Sequence, residues 1–206
     1  MSQPPATPYP PPARGSHPAR VLLTVVAVVL ALCGGGTAVA WYALRDEVAE
    51  VVEATGTRVV APETLAGRPK VTDPELQRLA DQTVRQMRST VRDGNSTVAA
   101  FYGDPDTGDL VMVAAAAGLL ADPERELDRS VEGLATDLGV AAVAPVEPGP
   151  LGGAARCGDG RAQGLPLGVC VWADRGSLGL VVLFDAAGAD ARAEFVTIRG
   201  QVERRD

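Results

Sequence analysis

The run "VLLTVVAVVLALCGGGTAVAWYAL", residues 21–44, contains no charged side chain. No other stretch restricts the chain so tightly. At about 1.5 Å of rise per residue, a helix of this length crosses a hydrocarbon core of roughly 30 Å. A helix that is apolar on every side can also be a core helix, but only inside a much larger protein. The sequence therefore predicts a transmembrane helix, with Trp41 and Tyr42 at one end, where amphipathic rings favour the interface. A second reading is a cleavable signal peptide, with "VLLTVVAVVLALC" as its apolar region and a small-residue cleavage site after Ala40. The long proline-rich lead and the unbroken apolarity through Leu44 favour retention. A lipoprotein signal needs a small residue before Cys33, where Leu32 stands.

The flanks orient the span. Arg14 and Arg20 precede it and no acidic residue occurs before Asp46, so the positive-inside rule places the N-terminus in the cytoplasm and the rest outside. The head "PPATPYPPPARGSHPAR" is too rich in proline to build a core, and residues 1–20 are expected to be a disordered cytoplasmic tail. Beyond the span, 26 acidic residues face 17 basic ones, a net charge of −9. That balance argues against nucleic acid or an anionic bilayer surface as the main partner. Eighteen arginines against the single Lys70, with abundant Ala, Gly and Val, match the usage of a high-GC bacterial genome.

Residues 45–71 are expected to form a juxtamembrane helix stopping near Gly56, then an extended tether, "TRVVAPETLAGRPKV", that either packs through Val59, Val60 and Leu65 or stays loose. A domain over residues 72–206 should follow. Its first helix is announced by a capping box at Thr72 and Glu75 and by Pro74 in the first turn, with Gly94 as its stop. Its apolar stripe is Leu76, Leu79, Ala80, Thr83, Val84, Met87 and Val91. "STVAAFYGDPDTGDLVMVAAAAG" reads as two strands around a loop. "DPERELDRSVEGLATDLG" reads as a second helix with Leu127, Val131, Leu134, Ala135 and Leu138 inward.

After these come a short strand in "VAAVAPVEP", a cysteine-bearing loop, a hairpin turning near Arg175 and Gly176, and a closing helix. In that helix Phe195, Ile198 and Val202 point inward and "ERR" is exposed. The order α-ββ-α-β-ββ-α predicts an α+β fold: an antiparallel sheet of about five strands with three helices on one face. Val181–Phe184, apolar on both pleat faces, should be central. The repeated hairpin-then-helix order raises the question of an internal duplication.

In an oxidising compartment, Cys157 and Cys170 are expected to form a disulfide. Closing that loop stabilises the fold by about 3 kcal/mol in the chain-entropy model. No metal or cofactor is expected, because zinc takes at least three protein ligands and the only histidine, His17, lies in the head. Twelve intervening residues also do not suit a redox pair. Without a histidine outside, Ser-His-Asp and Cys-His sites are excluded, and with Lys70 in the tether as the only lysine a serine–lysine pair is nearly so. "DPDTGD" gathers Asp104, Asp106 and Asp109, yet its glycine falls at the fifth place of a calcium loop and Ala115 holds the twelfth. A hairpin turn explains the same residues.

"APETLAGRPKV", "FYGDPDTGDLVMV" with "DPERELDRSVEGLA", and "GPLGGAARCGDG" with "GVCVWADRGSLGLVV" together resemble uncharacterised single-pass membrane proteins of actinobacteria such as streptomycetes. The resemblance implies a compartment and an architecture, brings no assigned activity, and carries over no functional residue. The expectation is a non-enzymatic, membrane-anchored extracytoplasmic module that binds another component of the cell envelope. Trp172, Asp174 and the glycine-rich loop that carries Cys157 are its candidate contacts, although a core position is the commoner fate of a tryptophan. Two alternatives stand beside it: a cell-wall hydrolase working through two converging carboxylates, and a signalling link whose proline-rich head recruits a cytoplasmic protein.

Overall fold

The computed structural model describes residues 55–88 and 94–205. Among them no helix is long and apolar enough to cross a membrane. The expected span at 21–44 and the proline-rich head lie outside the described residues, as do most of the juxtamembrane helix and Val91.

The segment expected as a tether is part of the fold. Strand β1 (Thr57–Val59) pairs antiparallel with the last strand of the chain, β10 (Glu203–Arg205). Strands β2 (Thr64–Leu65) and β3 (Arg68–Pro69) form a small hairpin. Its two turn residues, Ala66 and Gly67, both have positive φ, the backbone that lets a two-residue turn follow strand twist. Val59 and Leu65 enter the core, so packing rather than chain composition decides this segment. Arg68 pins it further, donating to Asp109 at 2.6 Å and to both carboxylate oxygens of Glu194.

Helix α1 (Pro74–Arg88) begins one residue later than the expected capping box. Asp73 is the cap: its Oδ1 accepts from the amides of Glu75 and Leu76, and its carbonyl accepts from Gln77. Leu79, expected inward, is 48% exposed.

Six antiparallel strands make the main sheet: β4 (Ser96–Asp104), β5 (Asp109–Ala117), β6 (Ala141–Val146), β7 (Ala154–Ala162), β8 (Leu165–Ala173) and β9 (Ser177–Phe184). Their spatial order is β4-β5-β9-β8-β7-β6. Helix α2 (Pro123–Leu138) joins β5 to β6, and α3 (Gly188–Val202) follows β9. The α+β class stands as expected, with three helices and an antiparallel sheet. The strand count rises from about five to six because the segment read as a cysteine loop is β7. Its glycines suggested a loop, yet they serve strand packing: a Cβ at Gly158 would lie 2.7 Å from the carbonyl oxygen of Ala141.

The helices do not share one face. On one side α3 lays Ala191, Phe195, Ile198 and Val202 against Cys157, Cys170, Trp172, Val181 and Leu183. On the other, α2 covers Val169, Val171, Leu178 and Val182 through Leu127. There α1 and α2 line a common groove over Leu178 and Leu180. A sheet buried on both faces has no water-facing side, which is why β9, between β5 and β8, is apolar at every position from Leu180 to Phe184.

Candidate functional site

The site is built where the β8–β9 turn meets the end of the chain. Arg175 and Gly176 form the turn. Asp174 closes it by accepting on Oδ1 from the amides of Gly176 (2.7 Å) and Ser177 (2.8 Å), an Asx-type arrangement in which a side chain replaces a backbone acceptor. The chain leading into α2 hangs from the same turn, through Gly118 and Leu120 amides on the carbonyls of Gly176 and Arg175.

Helix α3 brings Arg199 to this point. Its side chain is 1% exposed, and its guanidinium reaches four acceptors: Asp174 Oδ2 at 2.5 Å, Glu203 Oε2 at 3.0 Å, and the carbonyl oxygens of Pro148 and Gly152 at 3.0 and 2.8 Å. The planar fork suits several acceptors held in one plane. Glu203 is fully buried and accepts on Oε1 from Arg205 and on Oε2 from Arg199 and Ser177. Arg205 also reaches Asp174 Oδ2 at 2.9 Å. Two arginines thus face two carboxylates, the compensated arrangement that buried charge requires. "ERR" is therefore not an exposed helix end: the helix stops at Val202, and Glu203 and Arg205 are structural partners in β10.

Ser177 links the acids to the core. Its hydroxyl lies 3.1 Å from Asp174 Oδ2 and 2.9 Å from Glu203 Oε2, so one proton serves two acceptors, and it accepts from Trp172 Nε1 at 3.0 Å. Trp172 takes the core position rather than the contact and is completely buried. Its ring packs at 6.1 Å from that of Phe195, lies over Gly179 and carries the Arg199 guanidinium 5.8 Å from its centre. Its office is internal.

The two carboxylates are held in opposite senses. Burial and the charge of Glu203 push Asp174 above the usual aspartate range, against the pull of the Gly176 amide and both arginines. Burial also pushes Glu203 upward, but Arg199, Ser177 and Arg205 outweigh it and hold Glu203 below its usual value. Glu203 is the first of the pair to ionise, and Asp174 ionises against it.

Against this cluster opens a cleft of about 540 Å³, walled by residues 150–154, the β8–β9 turn, Pro123 and Glu124 of α2, Thr57 and Arg205. Asp174, the other expected contact, lines it. The ion cluster shapes the walls: Arg199 holds the carbonyls of the 148–152 loop, Asp174 holds the turn, and Glu203 and Arg205 hold the terminal strand. Both carboxylates converge, as a hydrolase would need, but arginine and hydroxyl donors occupy them, and Glu203 has no exposed surface with which to meet a substrate.

The expected disulfide is formed. Cys157 and Cys170 are direct cross-strand partners on β7 and β8, with Cα atoms 4.1 Å apart, the close spacing of a non-hydrogen-bonded pair. The bridge lies under α3 with both cysteines buried. "DPDTGD" forms the β4–β5 turn, with Asp104 accepting from the amide of Asp106. Among the described residues no three His, Cys, Asp or Glu side chains are gathered as metal ligands.

Arg199, Ser177, Glu203 and Arg205 were not singled out from the sequence. One signal was present: Ala191, Phe195, Ile198, Arg199 and Val202 form a single inward stripe, so an arginine occupies a core position at helical spacing, with Glu203 four residues on. No family model, curated protein or solved structure matches the chain.

Proposed function

We propose that this protein is a membrane-anchored extracytoplasmic binding module of the bacterial envelope, with the cleft beside Asp174 and Arg205 as its binding site and no catalytic role. The apolar run at 21–44, the positive flank before it and the disulfide support the compartment. The observation that carries the binding role is the pre-set cleft. A domain of this size commits two buried acids, the buried Arg199 and the half-buried Arg205 to fixing one loop, one turn and strand β10 around a single concavity. Holding walls in place before a partner arrives removes part of the ordering cost of binding.

Photocrosslinking tests this in cells of the native host. A photoreactive residue at Leu151 or Glu124, both in the cleft wall, should yield the same adduct, and one at exposed Asp81 on α1 should not. Adducts equal at all three positions, or at none, would refute the cleft as the site. The compartment is tested separately by denaturing intact cells in acid and labelling with maleimide. Cys157 and Cys170 should react only after reduction, and reaction without reductant would overturn the assignment.

A further inference from the structure

The cleft shares residues with the element that brings the chain into the domain. Thr57, almost wholly buried, opens β1 and lines the cleft, and its direct partner in β10 is Arg205, also in the lining. Val59 pairs with Glu203, and the amide of Val60 donates to the carbonyl of Val202 at 2.9 Å. In this register Thr57 and Val59 meet Arg205 and Glu203 as close side-chain neighbours, the Val59 amide donating instead to Ser96 Oγ at 2.8 Å, and Glu203 and Arg205 are the residues that hold Ser177 and Asp174. A two-strand ribbon of three residues per strand is marginal by itself; β1 puts only Val59 into the apolar core and ties it to the sheet by its amide on Ser96 Oγ, whereas the sheet, α2 and α3 supply most of both cores. Release of the ribbon is therefore a local opening, well below the free energy of unfolding the sheet.

We propose that β1 and β10 form a strap coupling the cleft to the chain preceding Thr57: drawing that chain away unzips β1 from β10 and loosens the cleft, and an occupied cleft tightens the strap. The inference rests on the cleft being the binding site and adds how that site is regulated. Coupling of this kind is reciprocal by thermodynamic necessity. It follows here from shared residues, since Arg205 belongs to the strap and to the wall.

Hydrogen exchange on the full chain in detergent micelles, read by mass spectrometry, tests the strap without any ligand. V60P deletes the Val60–Val202 hydrogen bond at an exposed side chain. It should speed exchange at residues 57–59, and also at 149–153 and 174–177, by at least about fivefold, the factor for one net hydrogen bond. Residues 111–117 and 178–184 should exchange as in the native chain. R205Q, made in the wall, should speed exchange at 57–59. Acceleration in V60P confined to 57–60, acceleration spread through the sheet, or native exchange at 57–59 in R205Q would each overturn the proposal. Coupled exchange without cleft-specific crosslinks would leave the strap standing and remove the binding role. Crosslinks without coupled exchange would do the reverse.

Discussion

Replacing Arg199 with methionine removes one guanidinium and keeps most of the side-chain volume. Four acceptors then lose a donor at once: Asp174 Oδ2, Glu203 Oε2 and the carbonyls of Pro148 and Gly152. Two negative charges would remain against Arg205 alone, with Glu203 sealed from water. Breaking a buried pair by removing one partner costs about 3–5 kcal/mol, because the charge left behind is uncompensated. For a domain of this size about 1 kcal/mol moves Tm by roughly 2–4 °C, so R199M should lower it by about 10–15 °C. The assay is thermal unfolding by circular dichroism at neutral pH with the disulfide intact. R199K should rescue little, since an ammonium on a flexible stem cannot reproduce a fork spanning four acceptors. The double variant R199M/E203Q should be less destabilised than the sum of the singles, because removing both charges leaves less unpaired. If R199M unfolds within about 1 kcal/mol of the native chain, the cluster does not hold this part of the fold, and the account of the cleft walls fails with it.

Glu203 and Asp174 give stability opposite pH dependences. Glu203 is held below its usual 4.5, so its contribution is complete above that pH and lost as the pH falls through the folded value. Asp174 is held above its usual 3.8, so between that pH and its folded value stability falls as pH rises. The stability gap between the native chain and E203Q should therefore shrink from pH 5 to pH 3 in urea titrations, and a gap constant across that range would contradict the assignment. The C157A/C170A pair should lose about 3 kcal/mol by the same titration at neutral pH, and an unchanged urea midpoint would show that the hairpin register alone sets this part of the fold. Y102F should keep or raise Tm, because the buried Tyr102 hydroxyl has no hydrogen-bond partner among the described residues and leaving such a group unpaired costs about 1–3 kcal/mol; a fall of several degrees would mean the hydroxyl is satisfied.

What the sequence revealed and what it hid divide along a physical line. Hydrophobic periodicity located all three domain helices and the β4–β5 and β8–β9 hairpins, but not β2–β3 or β7–β8, since period 3.6 and period 2 are properties of local segments. It set the closing helix correctly at Phe195, Ile198 and Val202, all buried. It failed where distant segments decide the outcome. Gly158 and Gly160 read as loop formers, but the crowding that demands glycine comes from residues 138–143. Residues 57–71 read as a tether because their partners, Glu203–Arg205 and Glu194, lie more than a hundred residues away. The ion cluster was hidden for the same reason: charged residues near a chain end are ordinarily solvated, and only the placing of Arg199 within an apolar stripe argued otherwise.

The suspected duplication fails on the same long-range geometry. Strands β4-β5 and β8-β9 flank the β5–β9 pairing in the order β4-β5-β9-β8, and β5 and β9 run antiparallel. The only two-fold operation that exchanges antiparallel neighbours within a sheet is a rotation about the sheet normal, and such a rotation keeps each face on its own side. Two copies of one hairpin-helix unit would then lay α2 and α3 on the same face. They lie on opposite faces, α2 with Val169, Val171 and Val182 and α3 with Cys170, Trp172 and Val181. The helices also differ in what they carry: α3 is docked at its start by Asp159 on the Gly188 amide and places Arg199 in the core, whereas α2 carries neither. The repeated order is thus how an antiparallel sheet is covered on both faces by a chain that alternates sides, and the asymmetry puts Arg199 and the chain end together at one cleft.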